Sequence, residues 1–393
     1  MKILQVISSF PPAYAYGGPV RVAYEISKKL VEKGHEVTVY TTDVSDAHSR
    51  LKHDKNPMWM DDIEVHHFRN INNRLAHKNL PIAPGIAFAL NKNIKNFDII
   101  HIHEYRSFQA VLVHHYAKKY GVPYVLQPRG SLPRISKSKQ KKLFDVLFGW
   151  AIIEDASKII ASSKLESDQY WDVFPDLEGE KIVHIPNGID LETYQNLPAK
   201  GEFRKRYPIG EDEKVVLFLS RIHERKGADV LIEAFSKLKN ELERVKLVIA
   251  GPDEGYLDRL KLMVDKLNIE ADVIFPGPLY GKDKLEAYVD ANVFVLPSKD
   301  RYESFGNVAL EACACGTPTI VTNVCGVSEW LSSVESVDPE INSLYEKLIE
   351  MLKISESERI KMGEKAQHEV RNLSWENVVE RIEKIYQEIL EGR

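Results

Sequence analysis

Residues 2–42 read KILQVISSFPPAYAYGGPVRVAYEISKKLVEKGHEVTVYTT. The apolar run Lys2–Ile7 has the length and residue types of a buried strand. From Val20 to Glu32 the apolar residues Val22, Ile26 and Leu30 recur every four positions, which predicts a helix with one buried face. Gly34 ends it, because glycine adopts the left-handed backbone of a helix end without strain. A second strand is expected over His35–Thr42. Strand, helix and strand at this spacing make a βαβ unit, and such units build parallel sheets covered by helices.

The same grammar runs outward from this unit. Strands are expected at Ile63–Phe68, Phe97–His103, Tyr124–Gln127, Lys158–Ser162 and Lys181–Ile185. A second series follows at Val215–Ser220, Lys246–Ala250, Asp272–Phe275, Asn292–Leu296 and Thr319–Thr322, with helices near 228–240, 256–267, 282–290 and 306–315. Two doubly wound halves predict two Rossmann-like α/β domains, 1–190 and 191–373, with the boundary in the polar stretch after Pro186-Asn187-Gly188. The chain reads as helical from Ser355 to its end. The apolar face of Trp375, Val378, Val379, Ile382, Ile385, Tyr386 and Ile389 is expected to bring a last segment, 374–393, back onto the first domain.

Composition narrows the class. A chain of 393 residues with 44% hydrophobic and 28% charged residues can bury two full cores. The 53 Lys and Arg against 58 Asp and Glu argue against a dedicated nucleic-acid binder. Three cysteines (Cys313, Cys315, Cys325) exclude a disulfide framework and lack a zinc pattern. No stretch reaches the ~20 apolar residues that span a bilayer, and the first apolar run is too short for a signal-peptide core. A cytoplasmic protein is the expectation.

The stretch most informative for chemistry is Pro297–Ala312, PSKDRYESFGNVALEA. It leaves an expected strand and opens an expected helix, where free N–H groups and the helix dipole favour phosphates. Glu303 lies on the loop and Glu311 about a turn and a half inside the helix, so two carboxylates can reach different hydroxyls of one nucleotide sugar. The plain alternative is a dipole-complementing Glu and an unrelated surface Glu. The segment resembles the Glu-x7-Glu signature of glycosyltransferase family 4, whose members are retaining enzymes of the GT-B fold. Further pieces match in order: Gly17-Gly18, His101-Ile102-His103-Glu104, Ile185-Pro-Asn-Gly-Ile-Asp190, Ser220-Arg221 with Lys226-Gly227, and Ser374-Trp375-Glu376. Ser304 departs from the glycine often found there.

The resemblance implies two Rossmann-like domains facing a central cleft, and transfer of a sugar from a UDP- or GDP-linked donor to a hydroxyl acceptor, a glycan or lipid-linked glycan precursor. It implies no cofactor and no metal, and no Asp-x-Asp motif of the metal-dependent kind is present. Glu311 would bond the donor ribose. Glu303 would act on the transferred sugar, near the backbone of Phe305, Gly306 and Asn307. Arg221 and Lys226 would neutralise the diphosphate, whose charge grows as the glycosidic bond breaks. Otherwise they are a solvated pair after a strand. The Gly17-Gly18 loop would approach the donor closely. His103 would contact the sugar as a catalytic residue with Glu104 orienting it, unless it is a buried structural histidine. Arg21 and Arg129 would face the acceptor, with Tyr14 and Tyr16 nearby. A nucleotide-sugar epimerase of the same fold and a non-catalytic nucleotide-sugar-binding protein are the alternatives. A nicotinamide enzyme ranks last, because Gly-x-Gly-x-x-Gly is absent after the first strand.

One stretch stands apart. Residues 134–150, RISKSKQKKLFDVLFGW, place Arg134, Lys137, Lys139, Lys141 and Lys142 before Leu143, Phe144, Leu147 and Phe148. Basic charge beside an apolar helix face suits the anionic inner face of a membrane, and equally a core helix with a solvated basic end.

Overall fold

In the computed structural model of the protein, the described residues are 1–14, 17–46, 49–51, 56–77, 80–134 and 138–393. The chain divides into two compact units, Met1–Gly188 with Trp375–Arg393, and Ile189–Ser374.

The first unit is built on eight strands, β1 (Lys2–Val6), β2 (Glu36–Thr42), β3 (Met58–Met60), β4 (Ile63–Phe68), β5 (Ile99–Ile102), β6 (Tyr124–Leu126), β7 (Lys158–Ala161) and β8 (Ile182–His184). They lie in the order β3-β4-β2-β1-β5-β6-β7-β8. Every pairing is parallel except β3 against β4. Its helices are α1 (Gly18–Glu32), α2 (Asn73–His77), α3 (Gly85–Asn93), α4 (Phe108–Tyr120), α5 (Ser138–Phe144), α6 (Trp150–Glu154) and α7 (Lys164–Val173), joined by the last helix of the chain. Strand residues alternate between faces. Ile3, Val37, Val39, Ile99 and Ile160 meet Val22, Ile26 and Leu30 of α1 and Trp375, Val379 and Ile382 of the last helix. Leu4, Val6, Ile100, Ile102 and Leu126 meet the opposite layer, with Ile86, Leu90, Val113 and Tyr170.

The second unit has six parallel strands, β9 (Lys214–Leu219), β10 (Val245–Ala250), β11 (Val273–Gly277), β12 (Val293–Leu296), β13 (Thr319–Thr322) and β14 (Val334–Val337), in the order β11-β10-β9-β12-β13-β14. Its helices are α8 (Ala228–Lys239), α9 (Leu257–Lys266), α10 (Gly281–Asp290), α11 (Asn307–Ala314), α12 (Ile341–Lys353) and α13 (Glu356–Val370); α14 is Trp375–Glu391. One face of the sheet packs on α10, α11 and α13, the other on α8, α9 and α12.

Three features depart from the sequence expectation. β3 and β14 were not expected. Both are short edge strands, and β14 carries Glu335 and Ser336 where a buried strand would be apolar. The helical stretch after Ser355 is two helices, because the chain turns at Arg371–Leu373 and Ser374 is extended. Asn372 and Ser374 there are residue types that compete with helix hydrogen bonding. The chain leaves the first unit at Gly188 and returns at Trp375, and the two passages lie side by side. The Ile189 N–H donates to the Leu373 carbonyl at 2.9 Å. A Cβ at Gly188 would sit 2.4 Å from the Trp375 ring, so only glycine lets the indole close over this passage.

In each sheet the connections reverse direction once. In the first, the chain runs outward from β1 through β2 to β4, then from β5 through β8 the other way. In the second, β9, β10 and β11 run one way and β12, β13 and β14 the other. The loops leaving β1 and β5, and those leaving β9 and β12, therefore part and leave a crevice at the carboxyl ends, where open α/β sheets bind ligands.

Candidate functional site

At the β9–β12 crevice, the loop from Ser220 to Gly227 meets the loop from Pro297 to Gly306. Their approach is close enough to require a glycine. Gly227 has φ +72°, and a Cβ there would lie 1.8 Å from the Pro297 carbonyl oxygen. The Lys299 N–H donates to the Arg225 carbonyl at 2.9 Å, and the Lys299 ammonium pairs with Asp229. The Arg225 guanidinium lies 4.6 Å over the Tyr302 ring, a cation–π contact. Behind the loop, Thr322 Oγ1 donates to the Ser298 carbonyl at 2.6 Å and the Val327 N–H to the Phe305 carbonyl at 2.8 Å. Gly306 caps α11 with φ +100°. The Phe305 ring is in the core, so this residue can offer a ligand only its backbone. Asn307 is the first residue of α11.

The four charged residues expected at a donor site all lie on this unit, each with a partner. The Lys226 ammonium is bonded to Glu303, and both side chains are largely buried. Among the partners of Glu311 are Lys284, its Nζ 2.9 Å from Oε1, and the Tyr288 hydroxyl, 3.1 Å from Oε2. Burial and the Glu311 charge push the Tyr288 hydroxyl well above its ordinary pKa, so it donates. Arg221 is about half exposed and pairs with Glu254 at 2.8 Å. That pairing follows from another tight approach, since a Cβ at Gly251 would sit 1.7 Å from the Ser220 carbonyl oxygen. An exposed pair of this kind contributes at most about 1 kcal/mol, so Arg221 can leave it for a ligand at little cost.

The β1–β5 crevice is built around a buried histidine. His103 follows β5 and is fully buried. Arg129 Nη2 lies 2.7 Å from His103 Nδ1. A guanidinium only donates, so Nδ1 accepts and the ring proton sits on Nε2, which donates to Gln5 Oε1. Both ring nitrogens are thus used, and burial with the neighbouring His101 and Arg129 holds the ring neutral, its pKa well below 6.5. His103 is thus a buried histidine whose ring nitrogens meet Gln5 and Arg129, and it positions the Arg129 guanidinium. Glu104 does not orient it. The Ser8 hydroxyl donates to Glu104, whose carboxyl is pushed up by desolvation. His101 and His103 stack with ring centroids 4.1 Å apart, and His101 Nδ1 lies 2.6 Å from the Tyr386 hydroxyl of α14.

Arg129 has a left-handed backbone, φ +51°. The turn is kept by Glu166, which is buried and accepts from the Gly130 N–H at 2.6 Å and from the Ser162 N–H and hydroxyl at 2.7 and 2.6 Å. Burial pushes the Arg129 guanidinium down to about 10, so it stays charged at neutral pH. Gly17, with φ +82°, caps α1, Gly18 is its first residue, and the exposed Arg21 lies within its first turn. Tyr14 is exposed. Tyr16 falls outside the described residues.

Several residues here escape a reading of the sequence. Lys284 and Tyr288 lie four apart on α10 and so share a face. That spacing is visible in the sequence, but their partner Glu311 is on another helix. Ser8, Gln5, Glu166 and Glu254 are likewise joined to their partners only by the fold. The three cysteines are buried thiols, Cys313 and Cys325 pushed up to about 12 by desolvation.

The basic-apolar stretch folds as α5, one π-helical turn over Asp145–Gly149, and α6. Residues 135–137, with Lys137, lie outside the described residues. Asp145 anchors the turn, bonded to Arg106 and Arg134 at 2.8 Å and to the Tyr105 hydroxyl at 2.9 Å. Leu143, Val146, Leu147 and Phe148 are 60%, 72%, 60% and 44% exposed. Among the described residues, no helix is long and apolar enough to cross a membrane.

The family described as glycosyl transferases group 1 matches residues 199–369, and glycosyltransferase family 4 matches residues 16–193. An N-acetyl-alpha-D-glucosaminyl L-malate synthase of Bacillus anthracis is 27% identical over 99% of this chain and 98% of its own length. A D-inositol 3-phosphate glycosyltransferase of Kineococcus radiotolerans is 27% identical over 79% of this chain and 74% of its own. Among solved structures, Anabaena HepE in complex with UDP aligns over 99% of this chain and 100% of its own, with TM-score 0.79 and 20% identity. The sucrose-phosphate synthase of Thermosynechococcus elongatus aligns over the whole of both chains with TM-score 0.77 and 20% identity. At that identity the likeness is one of fold.

The histidine pair yields a pH prediction. In the folded protein both rings are neutral, His101 with a pKa near 3. In the unfolded chain each takes up a proton as pH falls through about 6.5. The unfolded state then binds more protons, so stability drops below pH 6.5, by up to about 1.4 kcal/mol per pH unit for each ring. Chemical denaturation from pH 6.5 to 5 should show this loss, and His101→Gln should flatten the slope by one ring's share. An unchanged slope in the variant would contradict the buried neutral pair.

Proposed function

The chain belongs to glycosyltransferase family 4, with the GT-B fold, and on that footing we propose that it is a retaining, metal-independent enzyme moving a sugar from a UDP- or GDP-linked donor to a hydroxyl acceptor, a glycan or lipid-linked glycan precursor. The observation that carries the donor side is the convergence of Lys226 and Glu303 at the β9–β12 crevice, on loops fastened to each other.

In this reading Glu311 accepts from the donor ribose, and Lys226 and Arg221 neutralise the diphosphate. Both cations leave carboxylates to do so. Lys226 leaves Glu303 and Arg221 leaves Glu254, and the freed Glu303 turns to the sugar hydroxyls. The amino end of α11, at Phe305, Gly306 and Asn307, adds backbone donors and a favourable dipole. In the transfer the bond from the anomeric carbon to the diphosphate oxygen breaks, its electrons going to the diphosphate. The acceptor oxygen bonds to that carbon and passes its proton to the departing diphosphate oxygen. Charge grows on the diphosphate as this happens, and cations already in place lower the barrier. On the first unit the resemblance assigns Gly17 and Gly18 to the donor and Arg21 and Arg129 to the acceptor. Arg129 suits the role because His103 and the Glu166-bonded turn fix it while leaving it part-exposed.

Incubation with UDP- and GDP-sugars and a panel of hydroxyl acceptors tests the assignment. Glycoside should form with the donor's anomeric configuration kept, and Glu311→Gln and Arg221→Ala should each lower turnover at least about tenfold, the loss of one charge-assisted contact, while melting as the wild type does. Full activity in both variants would refute those roles. An epimerised nucleotide sugar formed without acceptor would point to an epimerase of the same fold.

We further propose that a cytoplasmic enzyme rests on the anionic inner face of a membrane through residues 134–150. Four exposed apolar side chains adjoin the exposed Lys139 and Lys142, and each basic charge adds about 1 kcal/mol near such a surface. The protein should sediment with vesicles containing anionic lipid and less with neutral ones, and Val146→Asp with Leu147→Asp should release it. Equal retention of that variant would locate the contact elsewhere.

A further inference from the structure

Residues 65–153 carry 14 Lys and Arg against three acidic residues, in a chain whose net charge is -5. Of the three acids, Asp98 precedes β5 at the amino edge of the sheet, Asp145 is buried against Arg106 and Arg134, and Glu104 accepts from Ser8. The layer on the other face of the sheet has the opposite sign, since α14 carries five Glu against one Arg and one Lys. On the basic layer α3, α4 and the α5–α6 turn lie side by side. The Tyr120 hydroxyl of α4 donates to Asn91 Oδ1 of α3 at 2.7 Å, and the Tyr105 ring before α4 meets Phe144 of α5 edge-on at 5.8 Å.

Apolar side chains stand exposed on both flanks of α4. On one flank are Leu143, Val146 and Leu147. On the other, Ile71, Leu75, Leu80 and Phe88 are 61%, 40%, 46% and 81% exposed. This second group is fastened to the fold. The Ile71 N–H donates to the Ile82 carbonyl at 2.8 Å, and Gln109 Nε2 of α4 donates to the Pro81 carbonyl at 3.2 Å. Gly85 opens α3 so close to the end of β4 that a Cβ there would lie 3.2 Å from the Phe68 ring. The group therefore lies toward the carboxyl edge of the sheet. Arg69, Arg74, Lys92 and Lys95 are exposed around it, and no acidic residue occurs from 65 to 97.

We propose that Ile71, Leu75, Leu80 and Phe88 form a second contact with an anionic lipid surface, so that the first unit stands on it at two points. The inference rests on the membrane reading of residues 134–150. Apolar side chains rimmed by polar ones mark a docking surface, and basic charge without acids selects anionic headgroups. A second copy of the chain would bring the same basic face and be repelled. Two contacts on one rigid body reinforce each other, because seating one makes the other intramolecular. They also fix orientation, turning the carboxyl edge of the sheet and the β1–β5 crevice toward the headgroups. That orientation suits an acceptor whose hydroxyl is carried on a lipid.

Sedimentation of the full chain with vesicles of phosphatidylglycerol and phosphatidylcholine, and of phosphatidylcholine alone, tests the second contact. Leu75→Asp with Phe88→Asp should lower partition onto the anionic vesicles at least about tenfold, as should Val146→Asp with Leu147→Asp, and all four together about a hundredfold. The four side chains are exposed, so each variant should melt as the wild type does. Wild-type binding by the Leu75 and Phe88 variant, beside loss in the Val146 and Leu147 variant, would overturn the second contact and leave the first. No binding of the wild type to anionic vesicles would overturn the membrane reading itself. A dimer seen by light scattering and lost only in the Leu75 and Phe88 variant, with vesicle binding unchanged, would assign the patch to a second copy and overturn the inference.

Discussion

The backbone of Gly227 lies against the Pro297 carbonyl so closely that no side chain fits between them. The proposed donor site depends on that approach. β9 and β12 are neighbours because the second sheet reverses its winding between them, and the loops leaving them would otherwise part. Gly227 closes the gap on one side and brings Lys226 onto Glu303. Gly251 does the same on the next strand and brings Glu254 to Arg221. The Lys226–Glu303 and Arg221–Glu254 contacts thus each sit beside a backbone approach that only glycine permits.

The charges so gathered are stored as pairs. Lys226 with Glu303 and Lys284 with Glu311 are mostly withdrawn from water, where a lone charge would be costly. Pairing makes the site tolerable in the absence of ligand. In the proposed function a bound diphosphate takes over Lys226 without a new charge being left alone, because Glu303 gains sugar hydroxyls in exchange. The Lys284 pair has a different character, with a rigid second anchor in Tyr288. The first unit follows similar logic with less charge: the cationic Arg129 is kept by a neutral histidine and by a turn bonded to a buried glutamate.

Much of this was legible in the chain itself. The two doubly wound halves could be read from apolar runs alternating with helical periodicity, because buried parallel strands are nearly uniform in character. β3 and β14 could not: β3 is an edge strand of only three residues, and β14 is an edge strand that carries Glu335 and Ser336. The spacing of Glu303 and Glu311 pointed to the crevice because both are fixed by local chain, a loop and the first turns of one helix. Lys284 stayed hidden because its partner lies on a different helix, and four-residue spacing on α10 alone suggests only a shared face. His103 shows the opposite limit. Its place after a strand was read correctly, but not that Gln5 and Arg129 occupy both nitrogens, since burial and tautomer are properties of the folded network.

The central claim is that the β9–β12 crevice is a nucleoside diphosphate site, and thermal unfolding with UDP, GDP, ADP and CMP tests it most directly. A nucleotide at about a hundredfold over its dissociation constant adds about 2.7 kcal/mol, or a shift of roughly 2–4 °C. The account predicts such a shift with UDP or GDP, and a shift of about half that size or less with that nucleotide in Glu311→Gln at the same concentration. No shift with any nucleotide, or an equal shift in the variant, would contradict it.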